Sequence, residues 1–180
     1  SVVSDLDSDG IQEIIAGRTV YKPDGTVKCQ GTGPYDGFSA VADMDMDGAG
    51  EYIVVGNQTV TLYDTDCSTI TSWSLQGGGT GGPPTIADYD GDSVPEIGFV
   101  DASTYSVYEV DGQVMWSTPV TDMSSHATGS VVFDFEGDGY PEVVYGDELT
   151  LWVFDGASGA IRLMDQAHNS RTLHEFPTIA

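Results

Sequence analysis

Four short stretches of the chain place carboxylates at alternate positions, and a glutamate ends each stretch. They read DLDSDGIQE (5–13), DMDMDGAGE (43–51), DYDGDSVPE (88–96) and DFEGDGYPE (134–142). Two carboxylates about 4 Å apart repel each other by roughly 4 kcal/mol at the effective dielectric constant of a protein surface. Such crowding of like charge indicates that a cation binds between the carboxylates.

Each acidic loop offers the hard oxygen ligands that Ca²⁺ prefers, with side chains at positions 1, 3, 5 and 9 and a backbone carbonyl at position 7. Glycine at position 6 permits a sharp turn because it tolerates positive φ. Ser93 replaces this glycine in loop three, and Glu136 replaces Asp at position 3 of loop four. Mg²⁺ demands stricter octahedral geometry, which favours calcium.

We therefore predict about four Ca²⁺ sites, in which the non-acidic residues contribute carbonyl oxygens. The predicted ligands are Asp5, Asp7, Asp9, Ile11 and Glu13 in loop one; Asp43, Asp45, Asp47, Ala49 and Glu51 in loop two; Asp88, Asp90, Asp92, Val94 and Glu96 in loop three; and Asp134, Glu136, Asp138, Tyr140 and Glu142 in loop four.

The sequence around the loops repeats as well. The loops begin 38, 45 and 46 residues apart, and such spacing is typical of architectures in which each repeat is one supersecondary unit. Each loop lies between two short apolar stretches, and a hairpin-like pair of segments with its own turn follows. Four antiparallel strands in each repeat predict an all-β chain made of β-propeller blades.

The repeats divide the chain into one propeller segment. We place the four blades approximately at residues 1–38, 39–83, 84–129 and 130–175. Residues 176–180 copy residues 83–87, which lead into loop three, and they are predicted to form the first strand of a further blade. This surplus strand favours a segment of a larger propeller, and the start at Ser1 rather than Met suggests a processed or excised segment. A four-bladed ring, or a dimer that exchanges this strand, is the alternative.

Composition excludes several classes of partner. With 29 acidic and 5 basic residues, the formal net charge of −24 argues against nucleic acid and against an anionic membrane surface. A hydrophobic content of 39% predicts a folded chain. No apolar run approaches the roughly 20 residues that cross a bilayer, so no membrane insertion is expected. Cys29 and Cys67 either form one disulfide in an oxidising compartment or stay free, and the sequence leaves both open.

The four D-x-[DE]-x-D-x-x-x-E loops, each between two apolar strands, resemble the FG-GAP/VCBS type of bacterial propeller repeat over essentially the whole chain. This repeat type is similar to the calcium-binding blades of the integrin α-subunit head. The resemblance implies a propeller of about seven blades, with the calcium loops joining strands 1 and 2 on one face. It also implies that the opposite face, formed by the strand 4-to-1 and 2-to-3 connections, binds the ligand.

The strand 4-to-1 connections vary in length and content, which is typical of a recognition surface on a constant scaffold. The last two contain the candidate ligand-binding residues His126, His168, Arg171 and His174; ordinary exposed loop residues are the alternative. We predict an extracellular or cell-surface adhesion module, or a periplasmic one, that binds a glycan or a protein. Millimolar calcium outside cells suits weak sites. The remaining blades of the same protein, or a second copy, are further predicted partners.

We predict no enzymatic activity. The calcium loops use most of the paired carboxylates, and no Ser/His/Asp or Cys/His arrangement stands out. Some lyases that degrade pectic polysaccharides use calcium-rich propellers of this kind. The propeller of a secreted polysaccharide-degrading enzyme is therefore the alternative.

Overall fold

The computed structural model describes residues 1–75, 77–123, 126–168 and 176–179. These residues form sixteen strands and no α-helix, so nothing in the described chain has the length and apolar character of a membrane-spanning helix. The strands pair into four antiparallel sheets of four, each with its strands in chain order. The prediction of an all-β chain with four four-stranded repeats is confirmed.

Each sheet is one blade, numbered here in chain order. Blade one contains β1 (Val2–Ser4), β2 (Glu13–Ala16), β3 (Thr19–Tyr21) and β4 (Val27–Gln30). Blade two contains β5 (Phe38–Ala42), β6 (Glu51–Gly56), β7 (Thr59–Tyr63) and β8 (Thr69–Ser74). Blade three contains β9 (Thr85–Ala87), β10 (Glu96–Val100), β11 (Thr104–Tyr108) and β12 (Val114–Pro119). Blade four contains β13 (Ser130–Phe133), β14 (Glu142–Gly146), β15 (Leu151–Asp155) and β16 (Ile161–Asp165).

The first strands of successive blades lie side by side: β1 contacts β5, β5 contacts β9, and β9 contacts β13. Because the strands of a blade are antiparallel, its acidic loop and its strand 3-to-4 turn share one end, which we call the loop face. The strand 2-to-3 turns and the strand 4-to-1 connections share the other end, which we call the connection face. The predicted metal ligands and the predicted recognition residues therefore lie at opposite ends of the blades.

Three hydrophobic clusters lie between successive blades. The first joins Leu6 and Ile15 to Tyr52 and Tyr63; the second joins Ile53 and Leu62 to Ile97 and Phe99; the third joins Tyr105 and Val107 to Tyr145 and Phe154. Strand β10 is buried along its whole length, and only the last residue of β6 is half-buried, because both faces of each strand touch a neighbouring blade. Burial of apolar surface between blades thus holds the repeats together.

Each junction between blades also has a specific contact beside the loop face. Cys29 of β4 and Cys67, in the turn between β7 and β8, form a disulfide with Cα atoms 5.8 Å apart. At the next two junctions, an indole ring covers a glycine of the equivalent turn. A Cβ atom on Gly112 would lie 2.8 Å from the ring of Trp73, and one on Gly159 would lie 2.5 Å from the ring of Trp116.

Residues 176–179 are described but belong to no strand. Phe176 lies against Gly129, where an added Cβ would approach the phenyl ring to 2.5 Å. The first strand of a fifth blade stays a prediction.

Candidate metal centres and connection face

Each acidic loop brings carboxylates together on the loop face. One oxygen atom from each member of a cluster lies within 4.8 Å of those of the other members. The clusters are Asp5, Asp7 and Glu13; Asp43, Asp45 and Glu51; Asp88, Asp90, Asp92 and Glu96; and Asp134, Glu136 and Glu142. The predicted ligands at positions 1, 3 and 9 therefore meet in every loop. These clusters have the hard donor atoms of a divalent cation site.

Position 5 joins the cluster only in loop three, through Asp92. In all four loops the position 5 carboxylate accepts a hydrogen bond of 2.8–3.0 Å from the backbone N–H at position 7. Asp92 makes this hydrogen bond and still belongs to its cluster, so Asp9, Asp47 and Asp138 stay predicted ligands. The carbonyl oxygens of Ile11, Ala49, Val94 and Tyr140 stay predicted ligands.

Backbone amides fold each loop around the aspartate at position 1. In loop one, Asp5 accepts the N–H of Asp9 at 3.0 Å and the N–H of Gly10 at 2.9 Å. This turn needs positive φ at position 6, which the sequence predicted, and also at position 4, which the sequence analysis missed. Ser8 at position 4 has φ +56°, and Ser93 at position 6 of loop three has φ +77°. Serine thus adopts the positive φ of the glycine that it replaces in loop three.

The glutamate at position 9 is buried in every loop and has the same orientation in each. Its Oε2 atom accepts the backbone N–H of position 2, at 2.7–3.0 Å. The hydrogen bond fixes the side chain and leaves Oε1 as the oxygen available to the cluster. A cation in the loop would meet this atom.

In loop three, one buried carboxylate oxygen has no hydrogen-bond partner. The side chain of Glu96 is 0% exposed, and its Oε1 atom has no hydrogen-bond partner. Burial raises the pKa of Glu96 to about 7, although the Tyr89 N–H lowers it; the carboxylates of Asp90, Glu109 and Asp92 add to the rise. A buried carboxylate oxygen without a partner is costly. A divalent cation fits this donor set and would satisfy it.

Two basic side chains that the sequence analysis did not single out point into loops one and four. The Lys28 ammonium lies 2.6 Å from Asp7 Oδ2 and 3.0 Å from Glu13 Oε1. The hydrogen bond from Lys28 lowers the pKa of Asp7. The Arg162 guanidinium lies 3.0 Å from Glu136 and 3.4 Å from Glu142. It also lies 2.7 Å from Asp155 of β15.

The connection face carries a cavity of about 620 Å³ between blades three and four. Leu149 and Trp152 form its apolar wall, and Thr121, Gln166 and His168 contribute polar groups. The indole ring of Trp152 stacks on Phe154, with ring centroids 5.5 Å apart. Trp152 is therefore held in a fixed orientation at the cavity.

Asp147 builds one side of this cavity and is 2% exposed. It accepts the backbone N–H groups of Thr121, Leu149 and Thr150 at 2.7–2.9 Å. It also accepts the indole N–H of Trp152 at 2.9 Å. Asp147 thereby joins the strand 2-to-3 turn of blade four to the connection that precedes the blade, and these four hydrogen bonds give it a structural role.

The structure separates the predicted ligand-binding residues. His168 lines the cavity. His126 lies at a different place on the connection face, where its carbonyl accepts a hydrogen bond of 3.5 Å from the Thr80 hydroxyl. Arg171 and His174 lie outside the described residues. Trp152 and Leu149 were missed because the sequence assigned them to the strand 3–4 hairpin rather than to the recognition surface.

No protein-family model and no curated protein matches the chain. Solved structures do match it. The chain is similar to the V. cholerae biofilm matrix protein Bap1, with a TM-score of 0.80 and 14% identity over 97% of this chain and 56% of that one. It is also similar to the rhamnogalacturonan lyase YesW, with a TM-score of 0.63 and 17% identity over 89% of this chain and 41% of that one.

A third similar structure is an Agrocybe aegerita lectin that recognises non-reducing terminal N-acetylglucosamine. The TM-score is 0.56 and the identity 16%, over 94% of this chain and 52% of that one. The chain thus spans about half the length of the proteins it matches. Likeness at such low identity shows the fold alone, and that fold is the predicted array of β-propeller blades. The FG-GAP/VCBS resemblance and the number of blades in the whole protein stay predictions.

Proposed function

We propose that the chain is a calcium-stabilised propeller segment of an extracellular protein, and that its connection face recognises a neutral glycan. The cavity beside Trp152 carries this proposal. Its volume of about 620 Å³ is in the usual range for small-ligand sites, which combine apolar walls with a few polar groups. Trp152 and Leu149 offer a fixed apolar wall for the C–H face of a sugar ring, and Gln166 and His168 offer polar partners for hydroxyl groups.

The charge of the chain supports a neutral ligand. A formal net charge of −24 repels polyanions at short range and slows their association. No such repulsion acts on a neutral sugar. This argument also disfavours the alternative function, which is degradation of an acidic polysaccharide.

The proposed calcium rests on the loop clusters, and above all on the unpaired Oε1 atom of Glu96. An ion present at ten times its dissociation constant adds about 1.4 kcal/mol to the stability of the fold. We expect calcium to serve as a structural clip, so that removing it with a chelator lowers the melting temperature by several degrees. The disulfide supports an oxidising compartment.

Three of the matched proteins support a role in glycan biology without establishing one for this chain. They are a biofilm matrix protein, a sugar-binding lectin and a polysaccharide lyase. Propellers host both binding and catalysis. The site must therefore be tested directly.

A glycan-binding array in calcium buffer tests the proposal with three single variants. Leu149 is 56% exposed at the cavity, and Ile161 is 52% exposed on β16, away from it. We expect Leu149→Ala and Trp152→Ala to lose binding to a neutral glycan, and the control Ile161→Ala to retain it. Binding to proteins alone would contradict the glycan assignment. Cleavage of an acidic polysaccharide would favour the enzyme instead.

A further inference from the structure

The two basic side chains that enter acidic loops occupy the same place in their repeats. In every blade, the pairing of strands 3 and 4 shifts by one residue at a single point. The shift leaves one residue of the fourth strand without a partner: Lys28, Ile70, Met115 or Arg162 in blades one to four. Such a β-bulge redirects the side chain of the extra residue.

Three of the four bulge residues lie beside the acidic loop of their own blade. Lys28 and Arg162 prove this by their ion pairs. In blade two, Ile70 lines a cavity of about 270 Å³ together with Asp45 and Glu51 of loop two. The four bulge residues are equivalent in strand register. Two of them carry a positive charge and two are apolar.

The two basic groups bind the glutamate oxygen that Ca²⁺ would need as a ligand. Oε2 of the position 9 glutamate is already bonded to the backbone, which leaves Oε1. Lys28 binds this atom in Glu13 and Arg162 binds it in Glu142. To bind Ca²⁺, loop one would have to release an ammonium group that also pairs with Asp7, and loop four would have to release a guanidinium group held by three carboxylates.

Loop three lacks such a group. Met115 supplies no charge, and Oε1 of Glu96 stays buried and unpartnered. Glu109 occupies the position equivalent to Asp155, so it adds a carboxylate without a paired arginine. Across the described residues, ion pairs to the acidic loops come only from Lys28 and Arg162.

We infer that Lys28 and Arg162 are resident cations that replace calcium in loops one and four, so that loops two and three are the calcium sites of this chain. This inference rests on the proposed calcium binding. It reduces the proposed number of ions from about four to two. In loops one and four, basic side chains of the protein itself then neutralise the carboxylates.

Calcium titration followed by calorimetry, with bound metal counted after dialysis, tests the inference. We expect two ions per wild-type chain, three for Lys28→Met, three for Arg162→Met and one for Met115→Lys. The control Ile70→Met should keep two. Four ions of similar affinity in the wild type, or an unchanged count in both Lys28→Met and Met115→Lys, would overturn the inference.

Thermal unfolding in chelator separates this inference from the proposed function. Without metal, Lys28→Met and Arg162→Met should melt at a lower temperature than the wild type, and Ile70→Met should not. Calcium should restore the melting temperature of Lys28→Met. Absence of any bound calcium would overturn the calcium sites, whereas unchanged melting of both charge-removal variants in chelator would overturn the resident cations alone.

Discussion

Cys29 and Cys67 form a disulfide at the junction of blades one and two, in the place where Trp116 covers Gly159 at the junction of blades three and four. Cys29 and Trp116 have equivalent positions in β4 and β12, directly after the bulge residue. Cys67 and Gly159 both have positive φ, at +67° and +68°. The residue after the bulge therefore forms a disulfide with the next blade at one junction and an aromatic contact with it at another.

Removing the disulfide is expected to destabilise the fold. The double variant Cys29→Ser/Cys67→Ser should lose about 2–4 kcal/mol of unfolding free energy, because the unfolded chain regains the freedom of the loop that the bond closes. Urea unfolding in calcium buffer measures the loss. The variant Cys29→Trp/Cys67→Gly copies the other junction and should recover part of it. A serine variant as stable as the wild type would show that the bond contributes nothing.

A methyl group at Gly159 should cost more than one at Gly25. Both glycines lie in strand 3-to-4 turns with positive φ, so alanine at either position costs about 1–2 kcal/mol in backbone strain. An added Cβ meets the Trp116 ring at Gly159 and nothing within 4 Å at Gly25. Overpacking should add about 1–3 kcal/mol at Gly159 alone. Equal unfolding free energies for the two alanine variants would contradict the importance of the indole contact.

Replacing Asp147 by Asn should weaken the connection face. The asparagine NH₂ group is a donor and would face N–H groups whose hydrogen bonds the Asp147 carboxylate now accepts. This loss of acceptors should lower the unfolding free energy by about 1–3 kcal/mol. The control Asp24→Asn changes an exposed turn carboxylate that is bonded to Thr26, and should cost under about 0.5 kcal/mol. We expect Asp147→Asn also to reduce glycan binding. Matching losses of stability in the two variants would refute the structural role of Asp147.

The metal-free protein should lose stability as the pH rises from about 4.5 to about 7. Glu96 has an ordinary pKa of 4.5 when unfolded and a pKa of about 7 in the fold. The folded state therefore holds a proton that the unfolded state has released, and its advantage disappears as this proton leaves. At about 1.36 kcal/mol per pKa unit, the loss amounts to about 3 kcal/mol.

Unfolding of metal-stripped protein at several pH values checks this expectation. Glu96→Gln removes the titrating group, so the difference between wild type and variant isolates its contribution. Saturating calcium should abolish the loss because an ion at Oε1 favours the ionised carboxylate. A pH dependence that is the same in the wild type and in Glu96→Gln would exclude the burial effect.

The spacing of residues predicted much of the fold and of the acidic clusters. The loop that begins at Asp5 recurs in phase, and alternation brings positions 1 and 3 to one centre whatever the surrounding packing. The apolar stretches on both sides had to be strands. Local pattern alone was sufficient for these features, because each depends on neighbours within one repeat.

Other features depend on contacts between distant segments. The Lys28 side chain points toward loop one because the pairing of β3 and β4 shifts by one residue beside it. The hydrophobic pattern of the sequence does not reveal such a shift. The pairing of Cys29 with Cys67 needed the blades to be placed side by side. Trp152 reads as a strand residue, and only the fold of the preceding connection turns its surroundings into a cavity.

The bulge in each blade has an evolutionary consequence. The bulge residue has no partner in the strand pairing. Under the role proposed for Lys28 and Arg162, a single codon there selects between a dissolved cation and a counter-charge carried by the repeat itself. Under the proposed role of the bulge residues, each repeat of the array can exchange one source of counter-charge for the other independently, while its acidic loop keeps its sequence.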